Sequence, residues 1–386
     1  MNKAEIYVRG WGAVTSLGWS APESARQLIA GNVRLAAVGN SPHLTNRELK
    51  AFEVPFPGNP LDKSMNMLES VLEEAFRRAN LSAKEIAESC VIVGTTGGLF
   101  IRNEYEFTEA VHQNPDQESP AISCRNRGPG EVAELIVNKY KINGMVMTLS
   151  MACVSSSHAL VVAADLLRRE KVRRAIVVGF EPLLNMTLHG FASLLLFDDD
   201  QCRPFCAKRA GMQIGEGAAA VILESGELTG ATYKFAGGHL YNDIKSMTSA
   251  GLDGVTVCNV VQETLALAQV SINHLVAIKA HGTGTRDNDL SEGRGLVKLF
   301  GDKLPPVVSL KGAVGHSLGA AGAVETAVWL SCCEQGCLPR SFGFSEIDPE
   351  IGFAPSQANI AAKDGAYLFT FFGFGGTCTS YLIIKE

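Results

Sequence analysis

The amino-acid sequence predicts an α/β protein assembled from two halves, and three observations carry that expectation. Short apolar runs alternate with stretches of helical period along all 386 residues. Such alternation implies parallel sheets covered by helices on both faces. The pattern breaks near Gly226 to Gly230, in ESGELTG, which divides the chain into 1–228 and 229–386. A composition of 46% hydrophobic and 19% charged residues is that of a globular chain with a substantial core.

In the first half, strands are expected at Ile6 to Arg9, Val91 to Gly94, Gly144 to Leu149, Ala175 to Val178 and Ala218 to Glu224. Each is an apolar run too short for a helix. Helical periodicity marks Leu68 to Ala79, Val132 to Tyr140 and Ser156 to Arg168. In the second half, strands are expected at Thr232 to Ala236, Val276 to Ala280, Val307 to Leu310, Tyr367 to Phe371 and Thr379 to Ile384, with a helix over Val260 to Ala268. The segment Ala366 to Lys385 reads apolar run, Gly-rich turn, apolar run, the pattern of a closing hairpin. No internal repeat is visible.

Several function classes fall away. With 34 basic against 40 acidic residues the net charge is −6, which argues against a general nucleic-acid binder. Ten cysteines are scattered without C-x-x-C pairs, so neither a zinc site nor a disulfide framework is indicated. The opening MNKAEIYVRGWGAVTSLG reads as a strand and a turn, not a signal peptide. No stretch approaches 18 uninterrupted apolar residues, so no membrane span is expected. A reducing cytoplasm fits these features.

Cys153 is the first candidate for chemistry. It sits where the apolar run Met145 to Leu149 turns through small residues into the helix from about Ser156. A cysteine at such a turn faces the positive end of a helix dipole and unpaired N–H groups, both of which favour thiolate. Two histidines strengthen the reading. His281 stands at the exit of Val276 to Ala280, before the hydroxyl-rich turn Gly282 to Thr285 and then Glu292. His316 follows Gly315, after the strand at Val307 to Leu310 and Lys311, and precedes a helix of small residues. A lone histidine at a strand end is usually a satisfied polar group. Two of them, each beside glycine at a strand-to-turn junction, point to a site, because α/β proteins place their chemistry at strand ends.

These residues resemble the Cys-His-His centre of the β-ketoacyl-[acyl-carrier-protein] synthases. The matching motifs are AC-x-SS at Cys153, GEGAA at Gly215 to Ala219, HGTGT at His281, K-x-x-x-GH-x-x-GAAG-x-x-E from Lys311 to Glu325, and FGFGGT from Phe372 to Thr377. The resemblance implies a thiolase-like fold, two pseudo-duplicated halves in α-β-α-β-α layers. It implies an acyltransferase that condenses an acyl group on Cys153 with malonyl-[acyl-carrier-protein]. His281 and His316 would stabilise the enolate oxygen, with Lys311 and Glu292 in the surrounding polar network. The amides of Cys153 and Phe372 would hold the tetrahedral oxyanion, Phe372 and Phe374 would gate the acyl pocket, and Thr283 and Thr285 would bind the phosphopantetheine arm. That arm belongs to the acyl carrier protein, so no bound cofactor and no metal are expected. A homodimer or a heterodimer with a homologous subunit is expected, formed through Gly144 to Leu149.

Because carrier proteins are acidic and this chain is net negative, docking would need a local basic cluster. Arg203, Lys208 and Arg209, with Lys63, Arg125 and Arg127, are the candidates. Departures from the family pattern at Cys206, Gly312 and Cys378 suit a specialised member, such as a type II polyketide or aryl-polyene ketosynthase. A thiolase would need a second catalytic cysteine before the C-terminal glycines. The initiating and plant-polyketide condensing enzymes use Cys-His-Asn, and a silent chain-length partner subunit lacks the nucleophile.

Overall fold

The computed structural model describes residues 5–38, 49–113, 128–226, 230–243 and 251–386. Ten strands form its sheet framework: β1 (Ile6–Val14), β2 (Cys90–Gly94), β3 (Val146–Leu149), β4 (Arg174–Glu181), β5 (Gly217–Ser225), β6 (Tyr233–Asn242), β7 (Leu275–Lys279), β8 (Val307–Val308), β9 (Gly365–Phe372) and β10 (Thr377–Lys385). From the centre outward the first half runs β1-β5-β4-β2-β3 and the second runs β6-β10-β9-β7-β8. Adding five to each label of the first order gives the second. Strand directions repeat too: two antiparallel pairings lead into two parallel ones in each half. The duplication therefore lives in pairing order, which single residues do not reveal. The sheets meet at one residue pair, Tyr7 with Lys234.

The expected closing hairpin is present, with β9 and β10 paired antiparallel, and the expectation of parallel sheets is corrected to mixed ones. β5 and β10 each lie antiparallel between two neighbours, β10 because the tight turn after Phe372 reverses the chain at once. Every residue of β2 and β4 is buried, as near-continuous apolar strands covered on both faces must be. The half boundary at 227–229 lies outside the described residues.

Helices fill three layers. α1 (Ala21–Ile29), α4 (Ser155–Arg168) and α7 (Ala321–Glu334) lie between the sheets, inside a core that draws residues from both halves. α2 (Pro60–Ala79) and α3 (Glu131–Tyr140) cover the outer face of the first sheet. α5 (Val255–Ala268) and α6 (Arg286–Phe300) cover that of the second. The centre is tight because α7 is rich in small residues. A Cβ on Gly322 would come within 2.2 Å of the Ser157 amide nitrogen, and Ser156 Oγ accepts the Ala323 N–H at 3.0 Å. α4 and α7 are thus fixed against each other, and each begins just after a candidate catalytic residue.

Candidate active site

Cys153 and His316 occupy corresponding turns of the two halves, each between the half's third strand in chain order and its central helix. After β3 the chain turns through Ala152, whose φ is 49°, a conformation that a residue with a Cβ adopts only when its surroundings impose it. Ser155 imposes it here. Its Oγ accepts the Met151 N–H at 2.8 Å and donates to the Ala152 carbonyl at 2.7 Å. Cys153 is thereby buried ahead of α4, with its own amide and that of Phe374 facing Sγ.

The expectation of a resting thiolate is corrected. Burial pushes the Cys153 thiol up to about 11, and the nearby Lys311 charge and the Phe374 N–H only partly oppose it. Desolvation outweighs the turn's favourable amides. The second amide at the sulfur is also Phe374's, where Phe372 was expected. Gly373 lets this turn close, since a Cβ there would stand 2.8 Å from the Thr377 hydroxyl and 3.3 Å from Val154 Cγ1.

His281 leaves β7 into a turn held by Glu292. That carboxylate accepts the N–H groups of His281 and Gly282 at 2.8 Å each and the Thr370 hydroxyl at 2.7 Å. Burial pushes Glu292 up to about 7. The His316 N–H donates to the Gln213 carbonyl at 2.9 Å, in a turn opened by Gly315 at φ 71°. The two imidazoles meet edge to face, with centroids 5.2 Å apart and planes at 85°. Both are buried, and burial and then the Lys311 charge hold both well below the usual histidine range.

Behind the histidines lies a cluster that the sequence reading missed in part. Glu325 bridges two lysines, Lys311 Nζ at 2.6 Å and Lys279 Nζ at 2.5 Å, and all three side chains are fully buried. Lys279 Nζ also stands 3.4 Å from the centroid of the Phe371 ring. Lys279 was passed over inside the apolar run VAIKA, where a lone lysine was the available signal. Glu181 was likewise missed. At the end of β4 it accepts the amides of Thr96, Gly97 and Gly319 and the Thr96 hydroxyl.

Cys153, His281 and His316 line one cavity of about 370 Å³, together with Thr283, Thr285, Phe372 and Phe374. Phe374 is half-buried and packs against Phe191 at 5.7 Å between centroids, and both rings line the cavity. The Thr283 and Thr285 hydroxyls lie 2.8 Å apart. Cys378 is buried in β10 and does not line the cavity, so a thiolase's second cysteine is not supplied there.

Of the expected docking cluster, two members are withdrawn from the surface. Arg209 is buried and paired with Asp348, while Lys63 is buried between Glu53 and Glu216. Arg203 is tied to Asp198 at 2.7 Å and Asp200 at 2.5 Å, and exposed Lys208 pairs with Glu346 at 3.1 Å. Arg125 and Arg127 lie outside the described residues. Among the described residues, no helix is long and apolar enough to cross a membrane.

Comparison with known proteins follows the same geometry. Residues 51–228 match the model of the β-ketoacyl synthase N-terminal domain, and residues 235–345 match that of its C-terminal domain. The putative mitochondrial 3-oxoacyl-[acyl-carrier-protein] synthase of Schizosaccharomyces pombe is 27% identical, across 98% of this chain and 99% of its own. The 3-oxoacyl-[acyl-carrier-protein] synthase 2 of Mycobacterium bovis is 30% identical across 65% of this chain and 67% of its own. Among solved structures, a chain from the complex of a ketosynthase with its chain length factor from Xenorhabdus doucetiae superposes with a TM-score of 0.85. It is 25% identical and covers 99% of this chain and 98% of its own.

Proposed function

The chain belongs to the β-ketoacyl synthase family and is a condensing enzyme of the acyltransferase class, and from its cavity we propose how its residues divide the reaction. Cys153 accepts the acyl group from a carrier thioester. The new bond joins Sγ to the acyl carbon, the carrier thiol leaves, and the proton that burial retains on Sγ passes to that thiol through a neutral imidazole. A malonyl thioester then enters. Its carboxylate leaves as carbon dioxide, and the electron pair moves to the enolate oxygen, where His281 and His316 donate hydrogen bonds. The carbanion attacks the Cys153 thioester, and the amides of Cys153 and Phe374 hold the resulting oxyanion until Sγ departs.

The observation that carries this reading is one cavity lined by a cysteine and two imidazoles from separate halves of the chain. Lys311 and Glu292 hold the polar surroundings, Phe372 and Phe374 border the acyl pocket, and Thr283 and Thr285 take the pantetheine arm. Nothing in the scheme needs a bound cofactor, because the phosphopantetheine comes with the carrier protein. The partner subunit, a second copy or a homologue, joins at the outer edge of β3. The nine cysteines among the described residues are free, which suits a reducing compartment such as the cytoplasm. The pathway is that of discrete, carrier-fed ketosynthases, of fatty-acid or type II polyketide and aryl-polyene kind.

The test is intact-protein mass spectrometry after incubation with acyl-carrier thioesters, followed by peptide mapping. An acyl adduct on Cys153 is expected. An unmodified Cys153 under conditions where product forms would sink the assignment.

A further inference from the structure

We infer that Lys279 is a positioning residue of the condensing site: by sharing Glu325 with Lys311 it adds a second cation to the buried cluster, and that charge acts with burial and with Lys311 to keep the imidazoles of His281 and His316 uncharged. The inference rests on the reading of the two histidines as enolate donors. Lys311 and Glu325 alone would form a neutral pair. Lys279 adds the second cation, held by Glu325, by the Thr370 carbonyl at 3.3 Å and by the face of Phe371. It is the last residue of β7, two positions before His281, so the strand that delivers the imidazole also delivers the charge.

The groups that face one another are few. Lys279 faces Glu325, Lys311 and Glu292. Burial opposes protonation of His281 most, followed by Lys311, His316 and Lys279. For His316 the order is burial, Lys311 and Lys279. At the nucleophile, Lys311 and Glu181 are the charges that bear on Cys153. Burial lowers Lys279 against the pull of Glu325, and burial with the Lys311 charge lowers both imidazoles.

An uncharged imidazole suits this chemistry. Loss of carbon dioxide from a malonyl thioester leaves an electron pair on the enolate. A neutral N–H stabilises the oxygen and leaves the α-carbon nucleophilic. An imidazolium would hand its proton to that carbon, giving an acetyl thioester and a neutral ring, and no carbon–carbon bond would form. A second cation near both rings suppresses the outcome that wastes the extender unit.

The experiment compares the native enzyme with Lys279→Met and Lys279→Gln, the latter keeping a hydrogen-bond donor toward Glu325. At pH 6 we measure the ratio of acetyl thioester to β-ketoacyl product, and we follow His281 and His316 by ¹³C-histidine NMR across the pH range. The variants should raise that ratio about three-fold or more. Their ring titrations should move up by about one pH unit, the scale for one charge about 10 Å away in an effective dielectric of about 20. Unchanged titrations and an unchanged ratio in a folded variant would overturn the role. So would a native ring titrating within the ordinary histidine range, which needs no variant to fold. If no decarboxylation occurs at all, the condensing reading fails, while the titrations still decide what Lys279 does.

Discussion

Glu181 accepts the amide of Gly319 at 3.0 Å, tying the end of β4 to the turn that follows His316. The same carboxylate accepts the amides of Thr96 at 2.9 Å and Gly97 at 2.8 Å. One side chain thus fixes a loop of the first half to the histidine turn of the second, which keeps Cys153 and His316 on the walls of a common cavity. Burial pushes Glu181 up to about 7 despite these donors.

A carboxyl raised in the folded state contributes stability below its unfolded value, and that contribution is lost as the pH rises through the folded one. The contribution of Glu181 should therefore decline between about pH 4.5 and pH 7 and then level off. Glu181→Gln should narrow the difference in Tm between pH 5 and pH 8. Glu74, Glu216, Glu292 and Asp289 are also raised by burial and act in the same direction, so the difference should shrink without vanishing. An identical pH dependence in the variant would assign the effect to groups other than Glu181.

Cys153→Ala should lower condensation by about 10³-fold or more, since the covalent step has no substitute. Far-ultraviolet circular dichroism should be unchanged, because the alanine occupies the same turn. Cys153→Gln, whose amide imitates an acylated thiol, should retain malonyl decarboxylation. Measuring released carbon dioxide and β-ketoacyl product side by side checks both. An alanine variant that still elongates would refute the nucleophile.

His281→Ala and His316→Ala should each slow decarboxylation by about 10²- to 10³-fold, the range for removing one oxyanion donor. Acyl loading of Cys153, read as adduct mass against time, should suffer less. Loss of loading with normal decarboxylation would reverse the assigned roles.

The parts of this site that were legible in the sequence are those where a reactive side chain sits at a strand end. Cys153, His281 and His316 each follow an apolar run and adjoin small or glycine residues, a pattern imposed by strand-to-turn geometry. Lys279 was hidden because one charge inside VAIKA hardly alters the apolar reading, and its compensating Glu325 lies 46 residues away. The two-sheet duplication was hidden for a similar reason. Corresponding strands share an order of pairing, and that order is set by long-range packing. The choice between the amides of Phe372 and Phe374 depended on where the turn after β9 carries the chain, which the Gly-rich run leaves open. The arginines misled because a cation in sequence does not display its partner. Asp348 stands 139 residues beyond Arg209.

The strand before the nucleophile ends the first sheet, with its outer edge free of any partner among the described residues. Met145 is 43% exposed, Val146 39% and Met151 38%, an apolar border along an open edge. Such an edge invites a neighbour. The enzyme should be a dimer at micromolar concentration by light scattering, and Val146→Lys should shift it toward monomer. Activity should fall with it, because β3 leads directly into the strained Ala152 turn that presents Cys153. A fully active native monomer would refute the interface.

Arg203 and Arg209 should behave as structural residues in any test of carrier docking. Arg209 donates to Asp348, to the Cys206 carbonyl at 3.0 Å and to the Arg286 carbonyl at 3.3 Å, so its removal leaves a half-buried carboxylate and the Arg286 carbonyl without that donor. Leaving such groups without their partner costs about 1–3 kcal/mol. Arg203→Glu would set three acidic side chains, with Asp198 and Asp200, where a cation now joins two. Both variants should melt lower than the native protein, Arg209→Glu more so. Their turnover of carrier-bound and of small thioester substrates should drop in parallel, because Ala210, Gly211 and Arg286, which line the cavity, adjoin or contact Arg209. A selective loss toward the carrier-bound substrate, steeper at low salt, would instead return these arginines to the docking surface.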